Sequence, residues 1–408
     1  MSYRAVLRAP GVRRVFVAAM VGRLSYGTVP LSLMLAVSGG GAYARAGLVM
    51  AAFATSSVLL TPVRAGLVDR YGARRVLPPM AAGYALVLCA FAAATWQGGT
   101  PAAVLFALAV AAGVSAPPLG PVTRALWSHL LGDGPLRQRA YSLDTVCEEL
   151  LYVGGPLLAG LLAATVRPQY GLLLSAVLVL GGTAALAASV RGGVAEPRDT
   201  PRPRGGGLAL LARTRQPLAV AAGAGAGLGA FGLLVVVFAG HHGQAADAAW
   251  VEAALAAGSA VGGLTLGAVD WRAPATTRLT VLTLTLAGAL ALAAAAANVP
   301  LLALCAALAG LSVAPTLTTA YLVTDGLAGP DRRTQAGAWV NAAFNAGGSI
   351  GTAAIGLAAD RLPAALCFLL AAAPVLAALT ATTRPAGRER PAPADHQSAA
   401  VPFGVEVK

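Results

Sequence analysis

Long stretches without a charged residue dominate the chain and restrict what it can fold into. Ten runs lack Asp, Glu, Lys and Arg, namely 24–44, 46–63, 76–123, 150–166, 168–190, 216–246, 253–269, 279–324, 334–359 and 362–383. A helix that crosses a bilayer needs about 20 such residues. Only 11% of the chain is charged, whereas soluble domains carry about a quarter. We therefore expect an all-α membrane protein.

The lengths of the runs predict how often the chain crosses the membrane. Two of them, 76–123 and 279–324, are long enough for two crossings each, and both contain a Pro-bearing turn near the middle. The ten runs therefore predict twelve transmembrane helices. Two other runs are short, and we expect their helices to include the neighbouring acids Glu148, Glu149 and Glu252.

The basic residues outside these runs alternate from one predicted loop to the next. Of 29 basic residues, 25 fall on the predicted side of the N-terminus, which is the cytoplasmic side by the positive-inside rule. Arg45, Arg167 and Arg361 fall on the other side, and Arg23 lies within the first span. The net charge of +13 is therefore a topology signal, and no nucleic-acid partner is expected. Both termini are predicted to be cytoplasmic.

A polar segment divides the chain after six predicted helices. Residues 191–215 are rich in Arg, Gly and Pro and are predicted to form a cytoplasmic linker. They separate an N-terminal six-helix bundle, residues 1–190, from a C-terminal six-helix bundle, residues 216–384. Residues 385–408 are rich in Pro, Ala and charge, and this composition predicts a disordered cytoplasmic tail.

The two halves also repeat each other. Pro135 and Pro156 are 21 positions apart, and so are Pro330 and Gly351, with similar residues around each pair. Such repeats are typical of secondary transporters, in which two halves rock around a central site.

The loop between predicted helices 2 and 3 combines glycines, an acid and several basic residues. Its pattern consists of Gly66, Asp69, Arg70, Gly72, Arg74 and Arg75. The segment resembles the cytoplasmic loop motif of the major facilitator superfamily, although Ala65 stands where the family usually has its first Gly and Ala73 replaces a common basic residue. The resemblance covers residues 1 to about 384. It implies two pseudo-symmetric six-helix bundles that work by alternating access.

Each residue type in this loop has a physical role. Gly72 permits the tight turn. Asp69, Arg70, Arg74 and Arg75 are expected to form charge-assisted hydrogen bonds to facing helices, which must break in the other conformation. The alternative interpretation is that the arginines only enforce topology.

A second resemblance lies in predicted helix 5. Gly155, Pro156 and Gly160 resemble the Gly-Pro motif that the family associates with antiporters and exporters. Residues of this kind let helices approach closely and bend locally. A tight packing face without a role in transport direction is the alternative.

Charged residues inside the predicted spans indicate a functional site, because an unpaired charge there is costly. Arg23 in helix 1, Arg124 in helix 4, and Asp144, Glu148 and Glu149 in helix 5 are expected to share one layer. The acids are expected about 3 to 10 Å from the start of helix 5. Two positive and three negative groups leave one carboxyl without a partner charge.

Two interpretations of this layer are open. A carboxyl without a counter-charge in a membrane tends to take up a proton. Glu148 or Glu149 is then the proton site, with Arg23 or Arg124 as its charge partner. The alternative is a fixed ion network that closes the cytoplasmic gate.

Three residues of the second half are possible substrate contacts. Glu252, early in helix 8, either contacts a cationic substrate or extends to water. Asn341 and Asn345, one turn apart on helix 11, either line the cavity or hydrogen-bond to a neighbouring helix.

The sequence contains no motif of a soluble enzyme and no His or Cys cluster, so neither enzymatic activity nor a metal or cofactor is expected. We predict a proton-coupled major facilitator exporter of a small amphipathic molecule, acting as a monomer. Lys408 is the single lysine among 29 basic residues, and this bias indicates a GC-rich bacterial genome and hence the bacterial inner membrane. The alternatives are an importer of a small polar nutrient and a non-transporting sensor or assembly protein.

Overall fold

The computed structural model describes residues 3–38, 43–132, 134–190, 206–241, 247–269, 271, 273–359 and 361–381, and these residues form helices without any strand. The first half of the chain contains α1 (Tyr3–Arg8), α2 (Val12–Ser38), α3 (Tyr43–Tyr71), α4 (Ala73–Trp96), α5 (Ala102–Ser115), α6 (Leu119–Leu131), α7 (Pro135–Thr165) and α8 (Pro168–Ser189). The second half contains α9 (Gly206–Arg213), α10 (Arg215–His241), α11 (Ala248–Ala268), α12 (Ala275–Leu292), α13 (Val299–Ala328), α14 (Arg333–Ala359) and α15 (Ala364–Thr380). Short 3-10 turns cover Ala293–Ala295 and Pro330–Arg332.

The described residues contain 11 helical segments that are long and apolar enough to cross a membrane. One of them, Ala102–Leu131, joins α5 and α6 across a break at Pro117 and Pro118. The twelfth predicted span corresponds to α15, an apolar helix of 17 residues. The expectation of an all-helical protein with many membrane-spanning helices is confirmed. Helix α9 lies inside the predicted linker, whereas residues 191–205 and 385–408 lie outside the described residues.

Glycines allow the first long helix of each half to touch its neighbour. A Cβ atom on Gly155 of α7 would collide with the backbone of Gly27 in α2. In the second half, a Cβ atom on Gly229 of α10 would collide with the backbone of Gly348 in α14. Backbones can approach this closely only where side chains are missing.

Both ends of the described chain lie on one side of the helix assembly, which we call the terminal side. The Tyr3 hydroxyl donates to the carbonyl oxygen of Leu264 near the end of α11, at 2.6 Å. The end of α15 packs antiparallel to the beginning of α10, since Gly223 contacts Pro374 and Ala378. The loops that follow α3, α6, α11 and α13 lie on this side as well, because the helices alternate in direction.

Candidate functional site

Four charged side chains from three helices form a buried network. Arg23 of α2 places Nη1 2.8 Å from Asp144 Oδ1 and Nη2 2.8 Å from Glu148 Oε2, both acids being on α7. Arg124 of α6 places Nε 3.1 Å from Asp144 Oδ2, and its Nη2 contacts the same Glu148 oxygen. Asp144 and Glu148 reach the same two arginines because residues four apart share one face of a helix.

Burial makes the balance of this network important. The side chains of Arg23, Arg124 and Asp144 are at most 2% exposed, and that of Glu148 is 15% exposed. Two positive charges therefore face two negative charges, and three of the four side chains are almost fully buried. Removing one member of such a pair leaves an uncompensated buried charge, which is more costly than the pair itself.

Glu149 does not belong to this network, although the sequence places it beside Glu148. The hydroxyl of Ser259, on α11 of the second half, donates to Glu149 Oε1 at 2.7 Å and also accepts from the backbone N–H of Ala314 at 3.1 Å. The other oxygen, Oε2, is buried and has no hydrogen-bond partner among the described residues. No basic side chain in the described part of the chain forms an ion pair with Glu149.

Glu149 lies at about the depth of the network, one residue beyond Glu148, but that step turns its side chain by about 100° away from the two arginines. The predicted depths are wrong. Helix α7 begins at Pro135, so Asp144 and Glu149 lie about 14 and about 21 Å along the helix from its start.

A cavity of about 230 Å³ adjoins the network at the middle of the helices. Glu148 forms part of its wall, together with Tyr26, Tyr84 and Tyr152 from α2, α4 and α7. The break between α5 and α6 opens this space, because Pro117 and Pro118 interrupt the helix there. The cavity therefore lies beside charged groups and is lined by aromatic rings.

The second half contributes to the same cavity through α14. Asn341 and Asn345 line it, and the Nδ2 group of Asn345 donates to Asn341 Oδ1 at 2.9 Å. Both residues thus line the cavity, and the hydrogen bond between them lies within α14. Glu252 is exposed at the beginning of α11 and does not line the cavity. A Cβ atom on Gly232 of α10 would lie 3.4 Å from Glu252 Oε1.

Asp69 joins the two halves on the terminal side. Its carboxylate accepts from the backbone N–H of Gln335 at 2.8 Å and of Thr334 at 3.3 Å, at the first turn of α14. The N-terminus of a helix attracts negative charge because its N–H groups are unpaired and its dipole is positive there. We call this contact the Asp69 latch.

The other residues of the loop motif differ in their surroundings. Gly72 has φ +85°, a conformation that favours glycine, and a Cβ atom on Gly66 would lie 3.2 Å from Gln335 Nε2. The guanidinium of Arg70 lies 4.9 Å from the ring of Tyr71, its own neighbour. Exposed side chains at positions 74 and 75 form no ion pair within the described residues. Within the described part of the motif, Asp69 makes the side-chain hydrogen bonds to α14, and Gly66 packs against the same helix.

Residues that follow α6 also join the halves on the terminal side. Arg137 Nη1 lies 3.2 Å from Asp325 Oδ2 at the end of α13. Gln138 Nε2 donates to Val269 O at 3.0 Å, and Arg139 Nη2 donates to Ala268 O at 3.1 Å. These two donors meet the carbonyl groups that the end of α11 leaves unpaired. This role was not predicted from the sequence, although three consecutive polar residues stand at the start of α7.

The two glycines of the Gly-Pro motif in α7 differ in how closely they are packed. Gly155 packs against Gly27 of α2, as described above, and Pro156 lies inside the helix one residue later. A Cβ atom on Gly160 would meet nothing within 4 Å. The packing face predicted for this motif therefore includes Gly155 and excludes Gly160.

Several arginines assigned to loops by the sequence are in fact buried. Arg64 is 5% exposed, Arg139 1% and Arg278 8%. Arg64 directly follows the charge-free run 46–63, so the sequence places it at the end of the predicted helix. Helix α3 continues for seven more residues to Tyr71, which places Arg64 about 10 Å inside the helix end. The turn at Gly72 is the sequence signal from which this depth could be read.

Comparison with known proteins identifies the fold. The Major Facilitator Superfamily model matches residues 15–273 and 218–405. A bacterial homologue of the iron transporter ferroportin, in an outward-facing state, has a TM-score of 0.73 at 16% identity, covering 91% of this chain and 98% of its own. The human organic anion transporter MFSD10 (TETRAN) has a TM-score of 0.69 at 17% identity, covering 94% of this chain and 100% of its own.

A third solved structure has the same fold. The transporter FucP in its outward conformation has a TM-score of 0.68 at 15% identity, covering 90% of this chain and 97% of its own. At such identities the likeness extends to the fold alone. No curated protein matches the chain.

Proposed function

Because the chain belongs to the Major Facilitator Superfamily, whose members are multi-pass membrane transporters and not enzymes, we propose that it exports a small amphipathic molecule by alternating access, driven by proton entry. Its twelve helices form two six-helix bundles, residues 1–190 and 216–384, joined by the linker 191–215. The terminal side faces the cytoplasm of a bacterial cell. The protein works as a monomer in the inner membrane.

The observation that carries this proposal is a mid-depth cavity lined by both halves, together with a set of contacts between the halves on one side of the helix assembly. The Asp69 latch and the Arg137–Asp325 ion pair both lie on the terminal side. Each contact is local and polar, so it can break without disrupting the packing within a half. Breaking them opens the cavity to the terminal side, which is the motion that alternating access requires.

Glu149 is the best candidate for the proton site. It has no cation beside it in the described part of the chain, and one of its oxygens is buried without a partner. Glu148, by contrast, already faces Arg23 and Arg124. Ser259 connects Glu149 to the second half, so uptake of a proton at Glu149 changes a contact between the halves.

The buried network has a different role in this proposal. Its balanced charges hold α2, α6 and α7 together beside the cavity, and Glu148 forms part of the cavity wall. We assign it to positioning these helices during the conformational change. The interpretation of a fixed ion network thus applies to these four residues, and proton coupling applies to Glu149.

The experiment begins by finding the cargo in cells that lack the protein. Metabolites that accumulate inside such cells, and return to normal when the gene is restored, identify an export substrate. An uncoupler should remove the difference between the two strains if protons drive export. Depletion of a metabolite inside the cells would instead favour the importer, and no change in any metabolite would favour the sensor or assembly protein.

The proton site is then tested with substitutions that remove one carboxylate at a time. Glu149→Gln should reduce gradient-driven export at least tenfold while still allowing downhill exchange of the substrate, since the binding cavity is intact. Glu252→Gln is the matched control, because Glu252 is exposed and lies away from the cavity. If uncoupler-sensitive export survives both Glu148→Gln and Glu149→Gln, proton coupling through α7 is wrong.

A further inference from the structure

Arg64 of α3 is a buried cation in the wall of the cavity, and every partner that it has is neutral. Its Nη2 group donates to Thr61 Oγ1 at 2.6 Å and to Ser57 O at 2.9 Å, and its Nη1 group donates to Gly113 O. The side chain is 95% buried by the adjoining helices, since the residue is 5% exposed. Its Nε group has no partner within the described residues.

The contacts fix the guanidinium in place. A Cβ atom on Gly113 would lie 2.6 Å from Phe53 O and 2.9 Å from Ser57 N, so α5 meets α3 here through backbone atoms. This close approach presents the Gly113 carbonyl to Arg64. Neutral oxygens occupy three of the donor positions, and a guanidinium has five N–H groups in all. Donors therefore remain for another acceptor.

The charges around the cavity do not cancel. Glu148, the acid that lines the cavity, is already neutralised within the network of Arg23, Arg124 and Asp144. No carboxylate of the described residues forms an ion pair with Arg64. Three arginines thus face two acids, and one positive charge remains next to the cavity. An isolated charge inside a membrane protein is costly and persists mainly where it pairs or works.

The rest of the cavity wall is suited to an apolar body. Phe53, Tyr26, Tyr84 and Tyr152 line it, and the amide of Asn341 adds a neutral polar group. Aromatic rings bury large areas of a ligand, while a few polar groups fix its orientation. Arginine binds carboxylate, sulfonate and phosphate groups through parallel hydrogen bonds.

We propose that the cavity binds a small amphipathic organic anion, whose negatively charged group pairs with Arg64 while the aromatic side chains cover its apolar part. This rests on the proposed transport function and names the substrate class of the same cavity. It excludes a cationic substrate there.

The test measures binding separately from transport. Purified protein in lipid nanodiscs is titrated with phenylacetate and naphthalenesulfonate as anions, and with phenethylamine as the cation of matched size, while its thermal unfolding is followed. At least one anion at millimolar concentration should stabilise the wild type, and phenethylamine should not. Stabilisation by the amine alone, or by none of the probes, would overturn the proposal.

Substitutions of Arg64 show whether the anion binds at this residue. Arg64→Gln should weaken anion binding at least tenfold, and Arg64→Lys should retain part of it, because the charge remains and the paired geometry is lost. Arg45→Gln is the matched control, since Arg45 lies on the same helix and outside the cavity. Should Arg64→Gln fail to fold, the graded loss in Arg64→Lys decides. Equal anion binding by the wild type and both Arg64 variants would refute the assignment.

Failure of this inference differs from failure of the proposed function. Anions that bind through Arg64 but are never exported along a proton gradient would leave the inference intact and remove the proposed function. Gradient-driven export of a cation, at a rate that Arg64→Gln does not change, would support the proposed function and refute this inference.

Discussion

The buried network makes a quantitative prediction about stability. Asp144 is fully buried; it accepts a hydrogen bond from Arg23 at 2.8 Å and forms an ion pair with Arg124 at 3.1 Å. Asp144→Asn preserves the shape of the side chain but leaves two arginines facing Glu148 alone. Breaking a buried pair from one side costs about 3–5 kcal/mol. We expect the free energy of unfolding of Asp144→Asn to fall by about this amount, because one buried charge becomes uncompensated.

A second substitution should restore part of this loss. Arg23→Gln combined with Asp144→Asn leaves one arginine and one acid, so the charges balance again. The double variant should be more stable than the sum of the two single effects predicts, by up to about 3 kcal/mol. The measurement is reversible unfolding in mixed detergent micelles, followed by circular dichroism. Asp331→Asn, which removes an exposed acid, is the control and should change nothing measurable.

Two results would refute this reasoning. A loss below about 1 kcal/mol in Asp144→Asn would place it among ordinary substitutions and would mean that the arginines find water or other acceptors. Additive effects in the double variant would mean that Arg23 and Asp144 do not act as a pair.

The remaining predictions concern the contacts between helices. Asp69→Asn removes the charge at the start of α14, and such contacts are worth about 0.3–1 kcal/mol. The ratio of molecules closed on the terminal side to open ones should therefore fall by a factor of about 2–5. Distances between spin labels on the two halves measure this ratio, and an unchanged distance distribution would contradict the latch. Gly155→Val should destabilise the protein by about 1–3 kcal/mol or prevent folding, because its side chain would enter the backbone of Gly27. Gly160→Val, with open space around it, should be tolerated in the same unfolding assay, and equal losses in both variants would contradict the packing described.

The helices could be predicted from the sequence because a membrane imposes a simple rule on composition. Charge-free runs locate the spans, and the Pro-bearing turns separate α4 from α5 and α12 from α13. The ends of the helices were harder to predict from the sequence, because a helix continues past its last apolar residue when a charged residue has a buried partner. Helix α7 shows this, since it begins at Pro135 and holds its acids deep inside.

The site was predictable only where neighbours in the sequence settle the geometry. Asp144 and Glu148 are four residues apart on one helix, which predicts their common face. The partner of Glu149 could not be found in this way, because Ser259 lies 110 residues later and a single serine carries no signal. Arg64 was assigned to a loop because topology counts record the number of charges and not their depth.

The distance in sequence between the members of the buried network has a consequence for how the protein is made. Arg23 and Asp144 are separated by 121 residues. At about 5–20 residues per second, the ribosome needs about 6–24 s to add the second partner after the first. During this time the first long helix has entered the membrane with an arginine whose acid does not yet exist. Nascent α2 must therefore remain where water, lipid headgroups or the insertion machinery can solvate Arg23, and its final placement waits for α7.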